Sequence, residues 1–117
     1  MKLENFSGKF PVECEIADSP WKQAVGLSFS RKRRNMLFLF PFERSWEFWM
    51  FGMGYGLKII FIDSKKRVID TQKAEPLSLN PKTWKVYAPK KKCKYVLEVP
   101  MESKYKFKEG DILKWQD

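Results

Sequence analysis

Residues 57–67 read Leu-Lys-Ile-Ile-Phe-Ile-Asp-Ser-Lys-Lys-Arg, and this stretch decides the fold. Its first part, residues 57–63, is rich in the β-branched and aromatic side chains that favour strands. Apolar residues occupy both faces of this strand, so we expect it to lie inside a sheet rather than at an edge. Residues 63–66 then predict a turn, and residues 67–71 complete a hairpin.

The flanking sequence predicts further short strands. Residues 11–17 alternate apolar and acidic side chains, the period of a half-buried strand, and place Val12, Cys14 and Ile16 inward. Gly110 permits a positive φ and the neighbouring Asp111 can satisfy backbone amides, which is typical of a turn. The other predicted strands are residues 36–40, 47–50, 93–99 and 112–115.

Helical signals are confined to short segments. Ser19 is suited to the N-cap and Pro20 to the first position of a helix that ends near Gly26. Residues 101–108 fit either one helical turn or an alternating strand. Residues 75–89 contain three prolines and no clear period, which predicts a long excursion over the surface.

These elements predict a mostly β (α+β) fold. About seven short strands with one or two short helices are typical of a small closed or half-closed β-barrel-like domain. The chain has 117 residues, close to the commonest size of one domain, and no repeat or low-complexity linker divides it. We therefore predict a single domain over residues 1–117.

The composition is strongly basic, with 23 Lys and Arg against 14 Asp and Glu and a formal net charge of +9. Such a surface attracts phosphate backbones, anionic lipid or acidic proteins. Lysine-rich surfaces also keep proteins in solution and, together with glutamate, are typical of heat-adapted proteins. The charge therefore indicates an anionic partner, thermal adaptation, or both.

The chain has two cysteines and no histidine. Without histidine, Ser-His-Asp and Cys-His catalysis are excluded and the commonest zinc ligand is missing. Two cysteines are too few for a zinc site built from cysteine alone, and we expect Cys14 and Cys93 to be buried free thiols rather than a disulfide. No cofactor and no metal are predicted.

The sequence pattern predicts neither a secretory signal nor a transmembrane segment. The first ten residues lack an apolar run. The most apolar stretch, residues 36–53, carries three charged residues and a proline, which argues against a membrane span. We expect a cytoplasmic protein.

A series of short motifs runs through the chain in a defined order: Gly26-Leu27-Ser28, Met36-Leu37-Phe38, Phe48-Trp49-Met50, Leu57 with residues 59–63, Tyr95-Val96-Leu97-Glu98-Val99-Pro100 and Gly110-Asp111. Together they resemble the family called domain of unknown function 192, over about residues 12–115. Its members are small archaeal and bacterial proteins without an established activity. The resemblance implies the fold class and one domain, but no reaction. Many members carry polar residues where this chain has residues 51–53 (Phe-Gly-Met) and Lys58, so a family site built on them would be incomplete here.

Basic side chains cluster in three predicted loops or turns. They are Arg31, Lys32, Arg33 and Arg34, then Lys65, Lys66 and Arg67, and finally Lys90, Lys91 and Lys92. Turns at one end of a small barrel lie close together, so these runs could form a phosphate-binding face. Loops also tolerate charge that has no function.

Aromatic residues crowd residues 38–51. Exposed rings beside basic loops would stack on bases or hold a peptide, and we therefore include Trp46 and Trp49 in the predicted binding surface. The alternative is that the strand over residues 47–50 is sandwiched in the core, because both of its faces are apolar.

Lys58 and Glu98 are charged residues inside otherwise apolar strands. Cross-strand pairing of the two would explain both of them. Alternatively, a lone Glu98 in an apolar strand could act as a general base with a raised pKa.

The sequence favours an uncharacterised small basic binding module that recognises an anionic partner through its basic loops. That partner is nucleic acid, an acidic protein or a small anion, and any nucleic-acid binding would be weak and non-specific. The alternative is an enzyme or enzyme-accessory domain with a carboxylate-based site around Glu98. The missing histidine, metal cluster and phosphate-binding Gly-Lys-Ser loop weigh against it. The sequence leaves the oligomeric state open.

Overall fold

The computed structural model describes residues 2–5, 10–17, 35–46, 48–49, 56–74 and 86–115. These residues form ten strands, whose bounds are β1 Lys2–Asn5, β2 Phe10–Glu13, β3 Glu15–Ala17, β4 Met36–Arg44, β5 Phe48–Trp49, β6 Leu57–Ile62, β7 Val68–Ala74, β8 Val86–Tyr87, β9 Cys93–Pro100 and β10 Leu113–Lys114. The predicted helix between Ser19 and Gly26 lies outside the described ranges. Within those ranges no helix is long and apolar enough to cross a membrane.

A five-stranded mixed sheet with the order β3-β4-β9-β6-β7 forms the centre of the structure. β3 runs parallel to β4, and the other neighbours are antiparallel. β9 lies in the middle, and β6 lies beside it. Every residue of β9 except Lys94 is buried, which is why the sequence of this strand is apolar on both faces.

The two faces of this sheet belong to two separate cores. We call one the Leu97 face, where Ile60, Leu97 and Val99 pack against Leu3 and Val12 of a second, three-stranded sheet with the order β10-β1-β2. The other is the Phe61 face, whose buried side chains include Met36, Phe38, Ile59, Phe61, Tyr87, Cys93 and Val96. Because side chains alternate along a strand, each position in β6 and β9 is committed to one core or the other.

The turn between β6 and β7 is built around Asp63. Its Oδ1 accepts hydrogen bonds from the backbone N of Lys65 at 2.9 Å and of Arg67 at 3.0 Å. Lys66 adopts a left-handed conformation with φ 63°. These contacts confirm the hairpin that the sequence predicts for residues 57–71.

The turn before β10 also agrees with its sequence. Gly110 has φ 92°, which a side chain would strain. Asp111 is buried, and its Oδ2 accepts a hydrogen bond from the backbone N of Lys108 at 2.9 Å. The carboxylate therefore satisfies an amide that the turn leaves unpaired.

The prediction of a mostly β fold is confirmed, and its finer features differ. Between β3 and β7 no described hydrogen bonds close the five-stranded sheet, so this sheet is open and the expected barrel closure is not observed. Residues 101–108 form a turn followed by irregular chain, so both expectations for that segment, a helical turn and a strand, are wrong.

The predicted strand over residues 11–17 is divided at Cys14 between two sheets. β2 belongs to the three-stranded sheet and β3 to the five-stranded one. Asn35 fixes this crossing, because its Nδ2 donates to the carbonyl of Glu13 at 2.8 Å and its own carbonyl accepts from the backbone N of Glu15 at 2.9 Å. Apolar and acidic residues alternate through Cys14 without interruption, so the sequence pattern does not reveal the division between the two sheets.

The prediction of two free, buried thiols is confirmed. Cys14 packs in the core of the Leu97 face and Cys93 in the core of the Phe61 face, so the sheet separates them. Burial raises the pKa of each thiol to about 11, which disfavours the reactive thiolate.

We therefore expect neither cysteine to react with iodoacetamide in the native protein at pH 8. Both should be alkylated in denaturant without reductant, as measured by intact mass. A species that stays unlabelled in denaturant and is lighter by two hydrogens would contradict this assignment.

Candidate functional site

Two of the three basic runs lie at the same end of the five-stranded sheet. β6 ends at Ile62, which faces Tyr95 near the start of β9. The turn after β6 is therefore adjacent to the loop that leads into β9, and these two segments carry Lys65 and Lys91. β4 ends there as well, because Arg44 faces Cys93.

We call this region the basic end, and it comprises Phe42, Arg44, Trp46, Lys65, Lys66, Arg67, Lys90, Lys91 and Lys92. A hydrogen bond from the backbone N of Ser64 to Glu43 Oε2, 3.1 Å long, joins the end of β4 to the turn. The convergence predicted for the Lys65 and Lys90 runs is therefore observed. Arg31, Lys32, Arg33 and Arg34 lie outside the described residues.

Several cations of the basic end are engaged within the protein. Lys66 Nζ donates to the carbonyl of Trp115 at 3.2 Å and lies 4.6 Å from the centre of that indole ring. Arg67 Nε lies 3.6 Å from Asp63 Oδ2, and Lys90 pairs with Glu109. Such exposed ion pairs add little stability, but they reduce the charge offered to a ligand.

Three lysines of the basic end remain available. Lys65, Lys91 and Lys92 are exposed. No ion-pair partner for any of them occurs among the described residues. Lys91 and Arg67 also border a pocket of about 330 Å³, which has Asp63 and Glu109 in its wall. The pocket therefore carries both signs of charge, and the surplus of positive charge lies on the three exposed lysines.

An aromatic cluster adjoins these lysines. Trp46 stacks on Phe40 with ring centres 4.2 Å apart, and Arg44 Cζ lies 5.2 Å from the centre of the Trp46 ring. The indole Nε1 donates to the carbonyl of Phe42 at 3.1 Å. Trp46 is thus half-buried and held in place, while the Phe42 ring beside it is 55% exposed. The side chain of Trp49 is outside the described part of the chain.

The sequence predicted exposed rings at Trp46 and Trp49 and missed Phe42. Alternation from Phe38 and Phe40 would send Phe42 inward. The pairing of β4 with β9 shifts between Leu39 and Arg44, and all residues from Pro41 to Arg44 are exposed. Pro41 was the available signal, because proline inside a strand marks a bulge or an edge.

The predicted pair of Lys58 and Glu98 does not form. In the pairing of β6 with β9, Lys58 faces Val99 while Glu98 faces Ile59, so the two side chains lie on opposite faces of the sheet. Lys58 Nζ instead donates to the carbonyls of Ser103 at 2.9 Å and Tyr105 at 3.1 Å. Burial, and then the charges of Lys73 and Lys106, lower the pKa of Lys58.

Glu98 lies in the middle of the Phe61 face, between Met36 on one side and Ile59 on the other. Its exposed fraction is 5%, and no described residue donates a hydrogen bond or an ion pair to its carboxyl group. Burial raises the pKa of this group to about 8, so the protonated form predominates at pH 7.

Acidic and cysteine side chains do not cluster in the described ranges, where no group of three could hold a metal ion. Asp70 is a second buried acidic residue on the Phe61 face among the described residues, since it faces Phe61 across β6 and β7. It accepts hydrogen bonds from Gln72 Nε2 at 2.9 Å and from the backbone N of Lys90 at 3.2 Å. These bonds tie the basic loop before β9 to the sheet, which is a structural role.

Comparison with known proteins assigns the chain to a family. The model of the DUF192 family, described as "Uncharacterized ACR", matches residues 3–115. The chain belongs to this family. A UPF0127 protein of Pyrococcus abyssi is 33% identical over 116 residues, which are 96% of this chain and 93% of the relative. A UPF0127 protein of Pyrococcus horikoshii is 35% identical over 107 residues, covering 88% of this chain and 87% of the relative.

Two crystal structures share the fold of this DUF192 member. A protein of unknown function from Novosphingobium aromaticivorans superimposes with a TM-score of 0.79 and 24% identity, covering 97% of this chain and 82% of the other. A putative transcription regulator from Sinorhizobium meliloti gives a TM-score of 0.76 and 22% identity, covering 97% and 89%. At these identities the likeness concerns the fold alone. The resemblance seen in the sequence is thus confirmed, and the UPF0127 relatives from Pyrococcus are archaeal and thermophilic.

The position of Glu98 predicts a distinctive pH dependence. Its ordinary pKa is 4.5 and its folded pKa is about 8, so between these values the unfolded chain loses a proton that the folded protein keeps. The free energy of unfolding should therefore fall as pH rises through this window, by at most about 1.4 kcal/mol per pH unit from this group. Glu98→Gln should remove this contribution, so its advantage over wild type should grow from pH 5 to pH 8.

Urea denaturation at pH 5, 6.5 and 8 measures this difference, with the exposed Glu102→Gln as the matched control. Parallel pH profiles for wild type and Glu98→Gln would show that Glu98 is ionised in the folded protein and would contradict the assignment.

Proposed function

We propose that this protein is a small binding module for single-stranded nucleic acid and that the basic end is its binding surface. The observation that supports this proposal is the convergence of two lysine-rich segments beside an exposed aromatic ring. Lysines attract the phosphate backbone, and an aromatic ring stacks on any base. The combination is typical of proteins that bind single strands without reading their sequence.

The lysines of this surface supply the electrostatic part of binding. Lys65, Lys91 and Lys92 are exposed on neighbouring segments. A lysine contacts phosphate as a point charge without fixed geometry, so it adds affinity without sequence preference. These features support contact with the backbone rather than with base edges.

Phe42 supplies the stacking part. Its ring is 55% exposed and lies 5.4 Å from the centre of the Trp46 ring, which also stacks on Phe40. A rigid support lowers the entropy cost of presenting a ring to a ligand. Arg44 lies over the same indole and adds a cation beside the stacking position.

An acidic protein could also bind a lysine-rich surface, but its binding would not explain the exposed ring of Phe42. A carboxylate-based enzyme receives less support, because the Glu98 side chain is only 5% exposed. The S. meliloti structure is described as a putative transcription regulator, and the proposal agrees with that description. We place this activity in the cytoplasm.

We expect wild-type protein to bind a fluorescein-labelled oligo(dT) at low salt in an anisotropy titration and to lose affinity steeply as salt is added. In the triple variant Lys65→Gln, Lys91→Gln, Lys92→Gln, the negative slope of the logarithm of the binding constant against the logarithm of the salt concentration should be shallower by about 2. The reason is that each phosphate contact on a single strand contributes about 0.7 to the magnitude of this slope. Phe42→Ala should weaken binding about tenfold and leave the slope unchanged, because stacking releases no counterions.

The control is the charge-matched triple variant Lys104→Gln, Lys108→Gln, Lys114→Gln, which removes three exposed lysines outside the basic end and should retain the wild-type slope. The proposal fails if wild-type protein does not bind at low salt. It also fails if both triple variants lose affinity equally, since net charge alone would then explain the binding.

A further inference from the structure

A second pocket, of about 360 Å³, lies on the Leu97 face at the other end of the β6–β7 hairpin. Lys58, Lys73 and Lys106 line it together with Thr71 and the half-buried rings of Tyr105 and Phe107, and none of the described residues in its wall is a carboxylate. Four residues of β6, about 13 Å of strand, separate Lys58 from the basic end. The pocket is therefore distinct from the proposed nucleic-acid surface.

The lysines of this pocket repel one another. Lys58 and Lys73 face each other directly across β6 and β7. Like charges in this arrangement destabilise a sheet. The pKa of Lys58 is lowered by burial, by Lys73 and by Lys106, in that order. This accumulation of like charge lowers the stability of the protein. A bound anion would offset the repulsion between the lysines.

Lys58 is also positioned to contact a ligand. Two of its three N–H donors have acceptors, the carbonyls of Ser103 and Tyr105, at 2.9 Å and 3.1 Å. These bonds hold the ammonium group at the pocket wall and leave the third donor for another acceptor. Lys73 and Lys106 are exposed and can reorient toward a bound group.

The chemistry of the pocket limits the ligand class. Several lysines around one cavity suit a ligand group with more than one negative charge. A phosphate monoester carries about 1.5 to 2 negative charges at pH 7. The rings of Tyr105 and Phe107 offer apolar surface to a planar body, and the volume lies in the usual range of small-molecule sites. We propose that this pocket binds a small phosphate monoester with a planar aromatic body, of the size of a mononucleotide.

Isothermal titration calorimetry with adenosine 5′-monophosphate tests this proposal. We expect saturable one-to-one binding to wild-type protein, with adenosine and inorganic phosphate each binding at least about tenfold more weakly. Lys73→Gln and Lys106→Gln should each weaken binding of the monophosphate by about tenfold, the loss expected for one charge-assisted contact. These two side chains are exposed, so the variants should fold.

The triple variant Lys65→Gln, Lys91→Gln, Lys92→Gln serves as the control and should bind the monophosphate like wild type. A thermal melt gives an independent readout: without ligand, Lys73→Gln should raise Tm because the repulsion with Lys58 is removed, and the monophosphate should raise Tm less in this variant than in wild type. The proposal is overturned if the monophosphate does not bind, if adenosine, phosphate or citrate binds as tightly, or if the Lys73 and Lys106 variants bind like wild type.

Discussion

The burial of β9 on both faces is the constraint on which the rest of the structure depends. This strand lies between β4 and β6, with Leu97 in one core and Val96 in the other. A shift of its register by one residue would exchange the two sets of side chains between the cores. The register therefore fixes Glu98 on the Phe61 face and, through the pairing with β6, Lys58 on the Leu97 face.

The same register determines where charge collects. Because β9 begins beside the end of β6, the lysine-rich loop before β9 meets the turn after β6 at one end of the sheet. At the other end, the pairing of β6 with β7 brings Lys58 opposite Lys73. The two proposed anion sites thus lie at opposite ends of the β6–β7 hairpin, one open and flanked by an exposed ring and one partly enclosed by aromatic walls. This division suits a polymer at the first site and a small molecule at the second.

The sequence predicted what depends on neighbouring residues. Apolar residues on both faces marked β6 as an interior strand, Asp63 marked the turn after it, and Gly110 marked the turn before β10. It could not predict what depends on pairing between distant strands. Lys58 and Glu98 lie on opposite faces because of the register in which β6 pairs with β9. This register cannot be read from the residues on either side of Lys58 or Glu98 in the sequence. The division of residues 11–17 at Cys14 follows from a contact with Asn35, twenty-one residues away.

The candidate site was predictable in part for the same reason. The Lys65 and Lys90 runs are visible as charge in turns, and their convergence followed from the short strands between them. Phe42 was missed because its exposure depends on a shifted pairing of β4 with β9. The pocket around Lys58 was missed because its lysines come from β6, β7 and the irregular chain before β10, and only the folded protein brings them together.

The central claim is that two distinct anion sites occupy opposite ends of the β6–β7 hairpin. Two-dimensional amide NMR spectra of wild-type protein, titrated separately with oligo(dT) and with adenosine 5′-monophosphate, test it most directly. We expect the oligonucleotide to shift amide signals of residues 42–46, 64–67 and 90–92, and the monophosphate to shift those of residues 58, 71–73 and 105–107. Shifts of one common set of residues by both ligands, or of neither set, would contradict it.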